Sequence, residues 1–60
     1  MADMLIKYLI VYELGEADHG GVTKHVAETC AFNMHKAINN VWYRTGRSDT
    51  FRVLRAEVVQ

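Results

Sequence analysis

The chain has 60 residues, with seven basic and seven acidic side chains, three histidines, no proline and a single cysteine. This length fits a single domain, residues 1–60, whose core contributes only about 3–5 kcal/mol. One cysteine excludes an internal disulfide framework. A neutral composition that is half apolar excludes a disordered chain, a basic nucleic-acid arm and an acidic tail.

The apolar stretch near the start of the chain is too short to cross a membrane. It covers residues 4–14 and is interrupted by Lys7 and Glu13, whereas a membrane-spanning helix needs about 20 apolar residues. The first residues include Asp3 and lack the basic start of a secretory signal. We therefore expect an unexported, cytoplasmic protein with no membrane contact.

Residues 4–14 are rich in β-branched, aromatic and leucine side chains, which predicts a first strand. Its even positions are all apolar and its odd positions are mixed, a pattern typical of a strand in the middle of a sheet. Residues 15–21 contain three glycines and Asp18 and predict a turn.

Residues 22–29 leave two interpretations open. Val26 and Ala27 fit a backward extension of the following helix, but a single long helix would leave a two-stranded sheet, too small to bury both faces of the first strand. The β-branched residues favour a second strand, residues 22–28, paired with the first through the glycine turn. We prefer the strand.

Residues 30–44 have the apolar periodicity of an amphipathic helix. Thr29 is an acceptable N-cap, and Gly46 is a typical C-terminal stop. The predicted buried stripe comprises Cys30, Ala31, Met34, Ala37, Ile38, Val41 and Trp42. Residues 50–59 predict a final strand with Leu54, Ala56 and Val58 on one face.

These elements predict an α+β fold with the order ββαβ: a three-stranded antiparallel sheet, strand order 2-1-3, with one helix packed on one face. The uncovered face is then unusually apolar, and such patches mark interaction sites. We interpret this face as a homodimer or partner surface. The alternative is a solvent-exposed face that its charged side chains keep hydrated. Its candidate oligomer residues are Leu5, Leu9, Val11, Phe51 and Val53.

The outer face of the helix and the distribution of charge suggest a second surface. The first half of the chain has two basic and five acidic residues, and the second half has five basic and two acidic ones. We expect the two charges at opposite ends of the fold. Exposed aromatics beside amides and cations are typical of recognition surfaces. The candidate partner-binding residues are Phe32, Lys36, Asn39, Tyr43, Arg44 and Arg47, with Glu16 and Asp18 at the opposite tip.

No set of residues has the spacing of a catalytic or metal site. His25, Cys30 and His35 are five positions apart, so they point in different directions on a helix and cannot share one metal. Cys30 and His35 lack a third group that would orient a nucleophile–base pair. We expect no enzyme activity, no cofactor and no metal, and we expect Cys30 to pack in the core.

The order of these elements resembles a known group of small proteins. Tyr8–Tyr12 as a strand, a glycine-rich hairpin, Val26-Ala27-Glu28-Thr29 before a helix containing Ala37, and a final Val/Arg strand are similar to the ββα-type proteins of phages and mobile elements. This group includes several anti-CRISPR inhibitors.

The resemblance implies a phage-encoded or mobile-element inhibitor that works in the host cytoplasm and occludes a surface of a host defence complex, such as a Cas effector, without chemistry of its own. The alternative function is a small nucleic-acid-binding regulator that uses Arg44, Arg47, Arg52 and Arg55.

Overall fold

The predicted ββαβ order and the sheet order β2-β1-β3 are confirmed by the computed structural model, which describes residues 4–16 and 20–59. The elements are β1 (Ile6–Gly15), β2 (Val22–Ala31), α1 (Met34–Arg44) and β3 (Arg52–Val59). Both neighbouring pairs of strands are antiparallel. Within the described ranges, no helix has the length and apolar character needed to cross a membrane.

The helix begins later than the sequence pattern predicted. Residues 22–28 form a strand as preferred, but β2 continues to Ala31, where Cys30 and Ala31 pair with Lys7 and Ile6. The N-cap is therefore Asn33, not Thr29, and its side chain accepts a hydrogen bond from the Lys36 backbone N–H at 2.9 Å. The expectation that Cys30 packs in the core was wrong, because it lies exposed on β2.

The helix ends at the predicted stop. Gly46 has a φ of 79°, and its N–H donates to the carbonyl of Tyr43 at 3.0 Å. The N–H of Arg47 donates to the carbonyl of Trp42 at 3.2 Å. These two bonds form a Schellman motif, which satisfies the last helical carbonyls and turns the chain towards β3.

The core lies between α1 and one face of the sheet, hereafter the covered face. The main contacts of α1 are with β2 and β1. Buried apolar side chains come from both layers: Tyr8, Ile10, Ala31, Ala37 and Val41. Because β1 is the central strand, its even residues contribute the centre of this core, as its alternation predicted.

A bulge in β3 changes which residues reach the covered face. Val11 pairs with Arg55 and Tyr12 pairs with Val53, so Leu54 is an additional residue between them. Val53 therefore shares the covered face with Tyr12, and Phe51 packs against the same ring at 5.2 Å between centroids. The predicted alternation of β3 was wrong here: Leu54 is 42% exposed, whereas Phe51 and Val53 pack on the core.

The two charged segments lie at the same end of the fold. A Cβ atom on Gly15 would lie 3.1 Å from the side chain of Thr50, so the end of β1 adjoins the loop before β3. Arg52 also forms an ion pair with Glu13 at 3.7 Å. The expectation of opposite charged tips was therefore wrong for Glu13 and Arg52, because β3 begins beside the end of β1.

Candidate functional site

Four predicted partner-binding residues lie along one exposed line of the helix. Lys36, Asn39 and Tyr43 follow one another at intervals of three or four residues, the spacing that stacks side chains on one helix face, and Phe32, before the N-cap, lies beside Lys36. All four are exposed, with 49% of Phe32 and 61% of Tyr43 accessible to solvent. Together with Arg47, just beyond the helix end, they are named the helix stripe.

Neighbouring groups hold the aromatic side chains of the helix stripe in place. The Lys36 Nζ atom lies 5.9 Å from the centroid of the Phe32 ring, a cation–π arrangement. The Tyr43 ring lies 5.4 Å from that of Trp42, whose Nε1 donates to the carbonyl of Ser48 at 3.0 Å. Two large apolar surfaces are thus exposed on the stripe, each in contact with a neighbouring side chain.

The polar groups of the helix stripe are free to bind. Within residues 4–16 and 20–59, no hydrogen bond or ion pair engages the side chains of Lys36, Asn39, Tyr43 or Arg47. Arg47 has a φ of 58°, an uncommon backbone conformation for a non-glycine residue, and is exposed beside the helix end.

Arg44 was a predicted contact residue but has an internal role. Its Nη1 donates to the carbonyl of Glu28 and its Nη2 donates to Oγ1 of Thr29, both at 3.2 Å. It therefore ties the end of α1 to β2. Glu16 is exposed just beyond the end of β1, and Asp18 lies outside the described residues.

The predicted oligomer residues do not share one face. Leu9 and Val11 lie on the face of β1 that α1 does not cover, hereafter the open face, because they alternate with the buried residues of that strand. Leu5 is exposed just before β1. Phe51 and Val53 pack on the core cluster of the covered face instead.

The open face carries three ion pairs. Lys7 and Glu28 lie 3.7 Å apart between β1 and β2, Glu13 and Arg52 lie 3.7 Å apart between β1 and β3, and Arg55 and Glu57 lie 3.0 Å apart along β3. Three of the four arginines proposed for nucleic-acid contact, Arg44, Arg52 and Arg55, therefore have partners within the chain. Arg47 is the remaining one.

His25, Cys30 and His35 form no cluster, and no group of three potential metal ligands occurs in the described part of the chain. His25 lies on β2, stacks on Tyr12 at 5.2 Å between centroids, and shares a hydrogen bond of 2.8 Å with Oγ1 of Thr23. A shallow depression of about 390 Å³ at the start of β1 is mainly apolar. Its lining residues are Met4, Leu5, Ile6, Lys7, Val58 and Val59.

The sequence analysis missed one surface. The open face continues onto the edge strand β2, where Val22 and Val26 have 58% and 65% of their surfaces exposed and Val26 pairs with Val11. The sequence contained a signal for this surface: at every second position of β2, valines alternate with charged residues, in the order Val22, Lys24, Val26 and Glu28.

Comparison with family models, with curated proteins and with solved structures finds no match to this chain.

Proposed function

We propose that this chain is a non-enzymatic, protein-binding inhibitor that covers a functional surface of its partner with the helix stripe. The observation that carries the proposal is the exposed line of Phe32, Lys36, Asn39 and Tyr43, whose polar side-chain groups form no hydrogen bond or ion pair with the described residues. Large aromatic anchors in a row with an amide and cations have the composition of binding hot spots.

The chemistry of the helix stripe favours an acidic protein surface as its partner. Its two charged residues, Lys36 and Arg47, are both cationic and exposed. Arginine suits bidentate contacts with carboxylates, and the two aromatic rings fit apolar pockets between them. We propose a host defence complex of the CRISPR–Cas type as the partner, and a phage or mobile element as the source of the chain, because the order of its elements resembles that of anti-CRISPR inhibitors.

The test uses purified Cas effector complexes and phage infection of cells that carry the matching CRISPR–Cas system. We expect the chain to bind one such complex and to restore infection. The double variant Tyr43→Ala/Arg47→Glu should bind at least about tenfold more weakly, since a hot-spot residue contributes about 2 kcal/mol or more. Arg55→Ala, which changes an exposed residue of the open face, is the matched control and should bind like the parent chain.

Two outcomes would contradict the proposal. Unaltered binding by the double variant would remove the helix stripe as the contact surface. Tight binding to DNA or RNA with a steep log–log salt dependence would instead favour the nucleic-acid regulator, because that slope measures counterions released from phosphates.

A further inference from the structure

The two edge strands of the sheet differ in how well they are protected. Charged side chains occur on both edges, but only β3 carries a bulge, at Leu54, which interrupts its pairing and discourages the addition of another strand. β2 pairs with β1 over ten residues without a register shift and has neither a proline nor a bulge. The edge of β2 is therefore the regular one.

The hydrogen-bond pattern shows which groups of β2 face outwards. The Glu16 N–H donates to the carbonyl of Gly21 at 2.7 Å, so this pair is a hydrogen-bonded one. Because hydrogen-bonded and non-hydrogen-bonded pairs alternate, the backbone groups of the even residues of β2 point away from β1. These residues are Val22, Lys24, Val26, Glu28 and Cys30.

The contacts of α1 agree with this assignment. The carbonyls of Glu28 and Cys30 accept hydrogen bonds from Arg44 Nη1 at 3.2 Å and from Asn40 Nδ2 at 3.5 Å. Both donors come from the helix above the covered face. Each carbonyl oxygen has two lone pairs, so a strand in the plane of the sheet can still bind there.

We infer that β2 pairs with β2 of a second copy of this chain, antiparallel and centred on Val26, and so joins two sheets into one of six strands. In this register Lys24 of each copy lies opposite Glu28 of the other, which gives two symmetrical ion pairs in addition to the Lys7–Glu28 pair within each copy. Val22 lies opposite Cys30, and the two Val26 side chains, each 65% exposed in one copy, meet at the two-fold axis.

Charge selects this register over its neighbours. Pairing centred on Lys24 or on Glu28 would place a residue opposite its own charge, which destabilises a strand pair. Centring on His25 or Ala27 places charged residues opposite apolar ones. The symmetry of β2 about Val26 therefore specifies a second copy of this chain as the occupant of the edge. This dimer uses a surface separate from the helix stripe.

The principal test is a cross-link. Val22 and Cys30 lie eight positions apart on one strand, about 26 Å at about 3.3 Å per residue, so they cannot bridge within one copy. Across the inferred interface they form a hydrogen-bonded pair with Cα atoms about 5.5 Å apart, within the range of a disulfide. The variant Val22→Cys should form a covalent dimer through Cys30 under mild oxidation.

Val58→Cys is the matched control, because Val58 is also a valine on a strand, is about half exposed, and lies on β3. It should give little covalent dimer. Equal cross-linking by Val22→Cys and Val58→Cys would overturn the inference, because it would indicate random collision rather than a defined register.

Charge reversal provides an independent measurement. The parent chain should sediment at twice its mass of 6.9 kDa at high concentration. Lys24→Glu should weaken the dimer roughly tenfold or more, because it places like charges opposite at two sites. Lys24→Glu/Glu28→Lys should restore most of the affinity, and adding Lys7→Gln to all variants removes the repulsion that Lys7 would exert on a lysine at position 28. Circular dichroism checks that each variant folds.

A monomeric parent chain up to millimolar concentration would overturn the inference, as would a dimer equally stable in Lys24→Glu. If the chain does not form this dimer, the proposal that the helix stripe binds a partner is unaffected. The two proposals can therefore be tested independently.

Discussion

The two faces of the sheet are made by the same three strands but are stabilised in different ways. On the covered face, Tyr8 and Ile10 are 4% and 0% exposed and pack against α1. On the open face, their neighbours Leu9 and Val11 remain half-buried among three ion pairs. Burial dominates the first face, since each buried large apolar side chain contributes about 1.5–3 kcal/mol.

The difference between the two faces shows that a short chain uses some residues to stabilise its fold and leaves others exposed. One helix of eleven residues covers only one face of the sheet. Because exposed ion pairs contribute about 0–1 kcal/mol each, the open face and the edges add little to the stability of one copy. The residues outside the covered face are therefore free to serve binding.

The largest expected effect is the difference in stability between variants of two neighbouring residues on β1, Ile10 and Leu9. Ile10→Ala should lower the free energy of unfolding by about 2–5 kcal/mol, because it leaves a cavity in the centre of the core. That loss is comparable to the whole stability of a domain this small, so the variant should be largely unfolded at 25 °C. Leu9→Ala changes the adjacent residue on the open face and should cost less. Urea denaturation followed by circular dichroism measures both.

Equal losses for Ile10→Ala and Leu9→Ala would contradict the division between the faces. They would show that the open face is buried as deeply as the covered one, as it would be in a dimer formed by that face.

A smaller effect is expected from two arginines with different surroundings. Arg44→Met removes the donors to the Glu28 carbonyl and to Thr29, whose side chain is buried with 6% of the residue exposed. An unsatisfied buried polar group costs about 1–3 kcal/mol, so we expect a loss near the lower end of this range. Arg55→Met breaks an exposed pair and should cost less than about 0.5 kcal/mol.

The same denaturation measurement separates these arginine variants. If Arg55→Met proved as costly as Arg44→Met, the contact of Arg44 with β2 would have no special structural role.

The fold could be predicted from the sequence because its signals are local. The β-branched residues of 22–28 favoured a strand, Gly46 marked the helix end, and the two apolar faces of residues 4–14 indicated a central strand. Each signal depends on secondary-structure propensity or on hydrophobic alternation, and both can be read from neighbouring residues in the sequence alone. The alignment of Lys36, Asn39 and Tyr43 on one helix face was predictable for the same reason, since helical spacing alone aligns them.

The remaining features depend on contacts that no local pattern contains. Cys30 and Ala31 fit the phase of the helix, yet pairing with β1 holds them in β2. No glycine marks the bulge at Leu54 in the sequence. The bulge moves each earlier residue of β3 to the face of the sheet opposite to the one that simple alternation predicts. The internal role of Arg44 also required knowing that α1 lies over β2.

The smallest expected effect concerns the ion pairs of the open face. In the pair Lys7–Glu28 both side chains are about half exposed, at 50% and 54%, whereas the Glu13 side chain opposite Arg52 is only 16% exposed. Solvent screens the first pair more strongly. We therefore expect Lys7→Gln to change the free energy of unfolding by less than about 0.5 kcal/mol, and Glu13→Gln to cost more, up to about 1 kcal/mol.

Added salt separates the two ion pairs further, because it screens exposed charges more strongly than partly buried ones. The Debye length falls from about 30 Å in about 0.01 M salt to about 3 Å in about 1 M salt. The small cost of Lys7→Gln should vanish at high salt, whereas part of the cost of Glu13→Gln should remain. Denaturation of both variants at the two salt concentrations measures this. A loss above about 1 kcal/mol for Lys7→Gln, persisting at high salt, would mean that the pair is shielded from solvent, as it would be if a partner or a second copy covered the open face.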